Sequence, residues 1–100
     1  MVQLGKVWYF FKMKRWTTIF KALAHINRLK IIKLLYRGAN LTVSQITGEL
    51  GISLHATSKH LIILQNLDVL DSTGKQGHVF YRLNKSLPRD INKAIKIFAA

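Results

Sequence analysis

Apolar residues recur along this chain at helical spacing almost from its start. Leu4, Val7, Trp8 and Phe11 stand at i, i+3, i+4 and i+7, with Lys6, Lys12, Lys14 and Arg15 around them, the pattern of an amphipathic helix. Thr17 or Thr18 is a candidate cap for a second helix through Ile19, Phe20, Leu23 and Ala24. Asn27 looks like the cap of a third, whose wide stripe is Leu29, Ile31, Ile32, Leu34 and Leu35. Gly38 ends it, after Arg37 in the last turn, where a cation suits the helix dipole.

The middle of the chain is more specific. Thr42 and Gln45 have capping-box spacing ahead of a short helix holding Val43, Ile46 and Leu50. Gly51 is a backbone stop, and Ser53 is placed to cap a further helix whose buried side is Thr57, Leu61 and Leu64. Two short helices joined by a tight glycine turn are the helix-turn-helix pattern. Val69 and Leu70 then begin an extended stretch, and Gly74-Lys75-Gln76-Gly77 reads as a turn. His78 to Leu83 alternates, with Val79, Tyr81 and Leu83 on one face and His78, Phe80 and Arg82 on the other. Such a hairpin directly after a helix-turn-helix is a wing. Pro88 sits near a last helix start, ahead of Ile91, Ala94, Ile95 and Phe98.

The expected fold is therefore mainly α with a small β-hairpin: a winged helix-turn-helix. It makes one domain over 1–100, with an N-terminal amphipathic helix at 1–18, a winged-helix core at 19–84 and a C-terminal helix at 86–100. The length supports one core and no more.

Charge turns this fold toward a partner. Sixteen Lys and Arg against four Asp and Glu give +12, although 49% of the residues are apolar. A folded module this basic calls for a polyanion: nucleic acid first, an anionic membrane surface next. The chain has no cysteine, which excludes disulfides, thiolate metal sites and a Cys nucleophile. No apolar run approaches the roughly 18 residues of a membrane span, and Val7 to Phe11 is too short for a signal sequence. These features suit a soluble, intracellular protein.

Several runs carry a family resemblance. Phe20-Lys21-Ala22-Leu23-Ala24, Arg28-Leu29-Lys30-Ile31-Ile32, Ser58-Lys59-His60-Leu61 and Tyr81-Arg82-Leu83, in this order and at this spacing, resemble ArsR-type winged-helix repressors over roughly residues 19–84. The resemblance implies a homodimer paired through its terminal helices, binding double-stranded operator DNA and repressing transcription. That implies a cytoplasmic, nucleoid-associated location.

In such a fold the start of the second helix meets base edges. The candidates are Ser53, Leu54, His55, Ala56, Lys59 and His60, with Lys75, Gln76 and Arg82 from the wing against the DNA backbone. Leu54 departs from the family pattern, where a polar residue is usual, and it cannot make a bidentate base contact. A sequence-tolerant architectural or nucleoid protein is therefore the alternative to a repressor.

Sensor sites in the family use cysteines on the first helix of the motif, or Asp/His sets on the C-terminal helix. This chain matches neither, and His25, His55, His60 and His78 show no ligand spacing. No metal site and no cofactor are expected. Glu49, Asp68, Asp71 and Asp90 are dispersed, without a catalytic pair, so no enzyme is expected. Asp68 occupies a turn position where relatives often use glycine. Trp8, Phe11, Ile91, Ile95 and Phe98 are the expected dimer contacts. Lipid-surface binding and packing within the chain are the other two readings of these stripes, and no membrane partner is expected.

Overall fold

A computed structural model describes residues 2–100, with side chains from Gly5 onward, so Leu4 of the first stripe lies outside the described side chains. The elements are α1 (Val2–Leu23), α2 (Ile26–Leu35), β1 (Leu41–Thr42), α3 (Val43–Leu50), α4 (Leu54–Asn66), β2 (Leu70–Lys75), β3 (His78–Leu83) and α5 (Arg89–Phe98).

The expected break at Thr17–Thr18 is absent. Both hydroxyls donate back along the helix, Thr17 to the Met13 carbonyl (2.9 Å) and Thr18 to that of Lys14 (3.1 Å), which is what a mid-helix Thr does when it does not cap. One 22-residue helix results, about 33 Å long. The turn comes instead at Ala24–His25. His25, not Asn27, caps α2: its Nδ1 accepts the Asn27 N–H at 3.2 Å.

The capping box at α3 forms as the spacing requires, with Gln45 N–H donating to Thr42 Oγ1 and Thr42 N–H to Gln45 Oε1. Gly51 closes α3 in the left-handed region (φ +69°), where a side chain is costly. Asp68 also has a positive φ (60°), fitting the turn role expected of it after α4.

The hairpin gains a strand that the periodicity did not show. β1 is two residues long and pairs antiparallel with β3, Leu41 opposite Tyr81, giving the sheet order β1-β3-β2. Gln76 and Gly77 form the two-residue turn, both at positive φ (52° and 78°), the type I′ geometry that matches strand twist. Tyr81 and Leu83 turn inward against the core.

That core is Ile19 of α1, Ile31, Ile32 and Leu35 of α2, Ile46 of α3, Leu61 and Leu64 of α4, Val69 and Leu70, and Ile91 and Ile95 of α5. Two expected dimer contacts are thereby corrected. Ile91 and Ile95 are 1% and 0% exposed; the chain needs them to cover α2 and cannot offer them to a second copy. Phe98 is half-buried against the same core. Lys33 Nζ on the Ala99 carbonyl (2.9 Å) and Arg15 Nε on Asp90 Oδ2 (3.2 Å) tie α5 to α2 and to α1.

The first half of α1 has no such cover. Trp8, Tyr9, Phe10 and Phe11 are all about three-fifths exposed. The molecule measures 54 × 24 × 24 Å, and its Cα radius of gyration of 15.3 Å exceeds the ~13 Å of a compact 100-residue domain.

Candidate nucleic-acid interface

α3 and α4 are joined by Gly51, Ile52 and Ser53. Ser53 caps α4 through Oγ, which accepts the Ala56 N–H at 3.1 Å. Thr57, fully buried, donates its hydroxyl to the Ser53 carbonyl at 2.9 Å, so a core residue holds the first turn from behind. Ile46 of α3 and Leu61 and Leu64 of α4 lock the two helices at their shared seam. The start of α4 is consequently rigid while its outer face stays open.

Most predicted contacts lie on that open face. Ser53, Leu54, His55 and Lys59 are exposed and Ala56 is half-exposed. This set offers hydrogen-bonding groups at Ser53 and His55, a cation at Lys59, and apolar surface at Leu54 and Ala56 suited to thymine methyls.

His60 is corrected. It is 9% exposed and lies on the inner side of α4. Its ring sits 4.3 Å from that of His25, and its Nδ1 lies 3.2 Å from Arg28 Nη1. The physical reason is helical phase: Thr57, His60, Leu61 and Leu64 share the face that packs on the core.

Lys75 and Gln76 are exposed at the hairpin end, as a wing contact requires. Arg82 is less free than expected. Asp71 lies directly opposite it in the register and accepts from Nη2 at 2.9 Å. That hydrogen bond, joined by one from the Ser72 N–H, holds the Asp71 carboxyl below its ordinary range. At the base of the wing Arg82 is thus already paired with Asp71, whereas Lys75 stands exposed at the tip.

A groove of about 600 Å³ between the start of α3 and the wing is lined by Thr42, Ser44, Gln45, His78 and Phe80 among others. Sequence reading found the capping box there but not the groove, because the β1–β3 pairing brings the two together. Among the described residues no three His, Cys, Asp or Glu side chains gather where they could hold a metal ion.

The fold and this exposed face define a winged helix-turn-helix protein. Residues 26–72 match the family model described as bacterial regulatory protein, arsR family, and over that stretch the chain resembles this family. It is 31% identical over 78 residues to the arsenic resistance transcriptional regulator ArsR1 of Pseudomonas putida KT2440, covering 78% of this chain and 61% of that relative's length. The transcriptional repressor PagR of Bacillus anthracis superposes with a TM-score of 0.69 at 26% identity, over 88% of this chain and 97% of that one. HlyU of Vibrio cholerae does so with a TM-score of 0.73 at 24% identity, over 86% and 89%. The homodimeric winged helix-turn-helix DNA-binding domain Mb0332 of Mycobacterium bovis gives 0.70 at 24%, over 85% and 75%. The matched family model, the P. putida relative and PagR are all described as regulatory proteins.

Proposed function

We propose that this chain is a homodimeric, sequence-specific DNA-binding repressor that works without a metal effector. The observation that carries the reading is the start of α4: capped by Ser53, braced from behind by Thr57, and open at Leu54, His55, Ala56 and Lys59. Two such helices about a two-fold axis would enter successive major grooves roughly 34 Å apart, with Lys75 and Gln76 on the flanking backbone. The M. bovis domain is described as homodimeric, and the uncovered Trp8 and Phe11 fit a second subunit on α1. Ile91 and Ile95 are not part of that interface, and Phe98 contributes only its outer edge. The chain has no cysteine, so control by a thiolate-bound metal or metalloid has no chemical basis here. A nucleoid-associated location follows from DNA binding.

Anisotropy titrations of a duplex selected from a random library, beside random-sequence DNA at the same salt, test the reading. A repressor prefers the selected duplex by about 10³-fold or more, and the log-log salt slope is about 0.9 per phosphate neutralised. Lys59→Ala weakens all duplexes alike, while His55→Ala alters the preferred sequence. A specificity ratio near one favours a sequence-tolerant architectural protein, a reading supported by Leu54, 52% exposed where a polar base reader is expected.

A further inference from the structure

The recognition helix is held from behind by a small cationic cluster. Arg28, in the first turn of α2, donates Nε to the Ala22 carbonyl and Nη2 to that of Lys21 (3.4 Å), gripping the last turn of α1. Its Nη1 reaches His60 Nδ1 of α4 at 3.2 Å. Guanidinium has no acceptor, so in this contact His60 Nδ1 must be the acceptor, which makes its ring neutral with the proton on Nε2. The same reasoning holds for His25, whose Nδ1 accepts the Asn27 N–H. The two rings then meet with centroids 4.3 Å apart and planes tilted by 58°. α1, the α1–α2 turn, α2 and α4 meet at this point.

We propose that Arg28, His25 and His60 are positioning residues that fix the recognition helix against the end of α1, and that protonating either imidazole releases it and lowers DNA affinity.

The chemistry runs one way. A proton on His60 Nδ1 removes the acceptor facing Arg28 and sets cation against cation; a proton on His25 Nδ1 removes the cap of α2. The groups facing His60 are His25 from the turn and Arg28 from α2, and Lys59 precedes it on its own helix. The contacts from α1 are backbone carbonyls. Among the described residues, the carboxylate ion pairs are Asp71 with Arg82 and Asp90 with Arg15, so none compensates a charged His60. Burial, then His25, then Arg28 all press its pKa below the ordinary value. A cation is equally unwelcome as a metal ion, since Arg28 occupies the space beside the two rings. His55 and His78 are exposed; on the DNA side they would strengthen binding when protonated, the opposite sign.

This inference rests on the DNA-binding reading, and its test separates the two. Duplex affinity of the full chain is measured from about pH 8 to about pH 5.5 at constant ionic strength, for the wild type and for His60→Gln. Glutamine keeps an acceptor for Arg28 and does not titrate. Dividing one profile by the other cancels His55 and His78. The wild type should lose about three- to tenfold relative to H60Q on acidification, within the tenfold per pH unit that one proton allows. Superimposable profiles overturn the proposal.

His25→Asn, which can still cap α2, serves as the second variant if H60Q does not fold. In the DNA-free wild type, NMR should show His60 titrating below the ordinary histidine value, with amide shifts in α4 following its midpoint. If His60 titrates at the ordinary value and α4 does not respond, the proposal also fails. Absence of duplex binding at every pH instead defeats the DNA-binding reading, and the NMR titration still decides the cluster.

Discussion

Ile95 and Trp8 separate what α1 and α5 do for the single chain from what they can offer a partner. Ile95 is 0% exposed and Trp8 62%. Trimming a fully buried isoleucine loses the whole transfer term of the removed carbons plus the cavity left behind: about 0.5–1.5 kcal/mol for Ile95→Val and about 2–5 kcal/mol for Ile95→Ala. A domain of this size has about 5–15 kcal/mol in total and moves about 4–8 °C in Tm per kcal/mol. Ile95→Ala should therefore lower Tm by roughly 10 °C or more, with the valine variant in between. Trp8→Ala removes a largely exposed side chain that holds Lys12 Nζ 4.7 Å over its ring, so it should cost the unfolding of the monomer no more than about 1 kcal/mol.

Urea unfolding followed by circular dichroism, repeated over a hundredfold range of protein concentration, reads both terms. Dimerisation makes apparent stability depend on concentration, and Trp8→Ala should weaken that dependence while Ile95→Ala keeps it. An Ile95→Ala protein as stable as the wild type would refute the assignment of α5 to the core. A Trp8→Ala protein destabilised equally at every concentration would refute the reading of Trp8 as a contact between subunits.

Further expectations are more local. Asp90 is pushed up by burial, but hydrogen bonds from Arg15 and from the Ile91 N–H more than offset this and leave its carboxyl below the usual range. The unfolded state then binds the proton more readily, so this contribution is present above about pH 4 and fades as pH falls further. Asp90→Asn should flatten that acid limb in thermal melts. Its cost at neutral pH is under about 1 kcal/mol, because the Arg15 and Asp90 side chains are 40% and 30% open to solvent and salt screens them. Thr42→Ala breaks the capping box and should cost about 1 kcal/mol in denaturant unfolding. Gly77→Ala places a Cβ at φ +78° and should lower stability by about 1 kcal/mol, while the space around it stays open. Asp71→Asn frees Arg82 from its partner and removes a negative charge, so it should raise affinity for any duplex and steepen the salt dependence.

Much of this molecule was legible from local chemistry. The capping box at Thr42–Gln45, the stop at Gly51 and the cap at Ser53 act within four or five residues, so spacing alone reveals them; the turn read at Gly74–Gly77 narrows to Gln76–Gly77, because Gly74 and Lys75 pair with Val79 and His78. The helix-turn-helix and its wing, and with them the exposed start of α4, follow from those signals and from the period of the apolar residues.

What local pattern cannot contain is the choice among several apolar stripes. Ile91 and Ile95 have the same periodicity as Val7 and Phe11, yet one stripe is covered by the chain itself and the other stands free, because α5 folds back over α2 while α1 runs past the body. His60 is similar. Helical phase with Thr57, Leu61 and Leu64 turns it inward, but nothing in Ser58-Lys59-His60-Leu61 says that Arg28 and His25, more than thirty residues earlier, receive its ring. β1 is too short to carry a period and exists only because β3 is there to pair with it. The sequence by itself determined the cap at Thr42, the stop at Gly51 and the cap at Ser53, since those are contests between neighbouring backbone groups. Only the tertiary structure decided which faces meet, since that depends on groups far apart in the chain competing to leave water together.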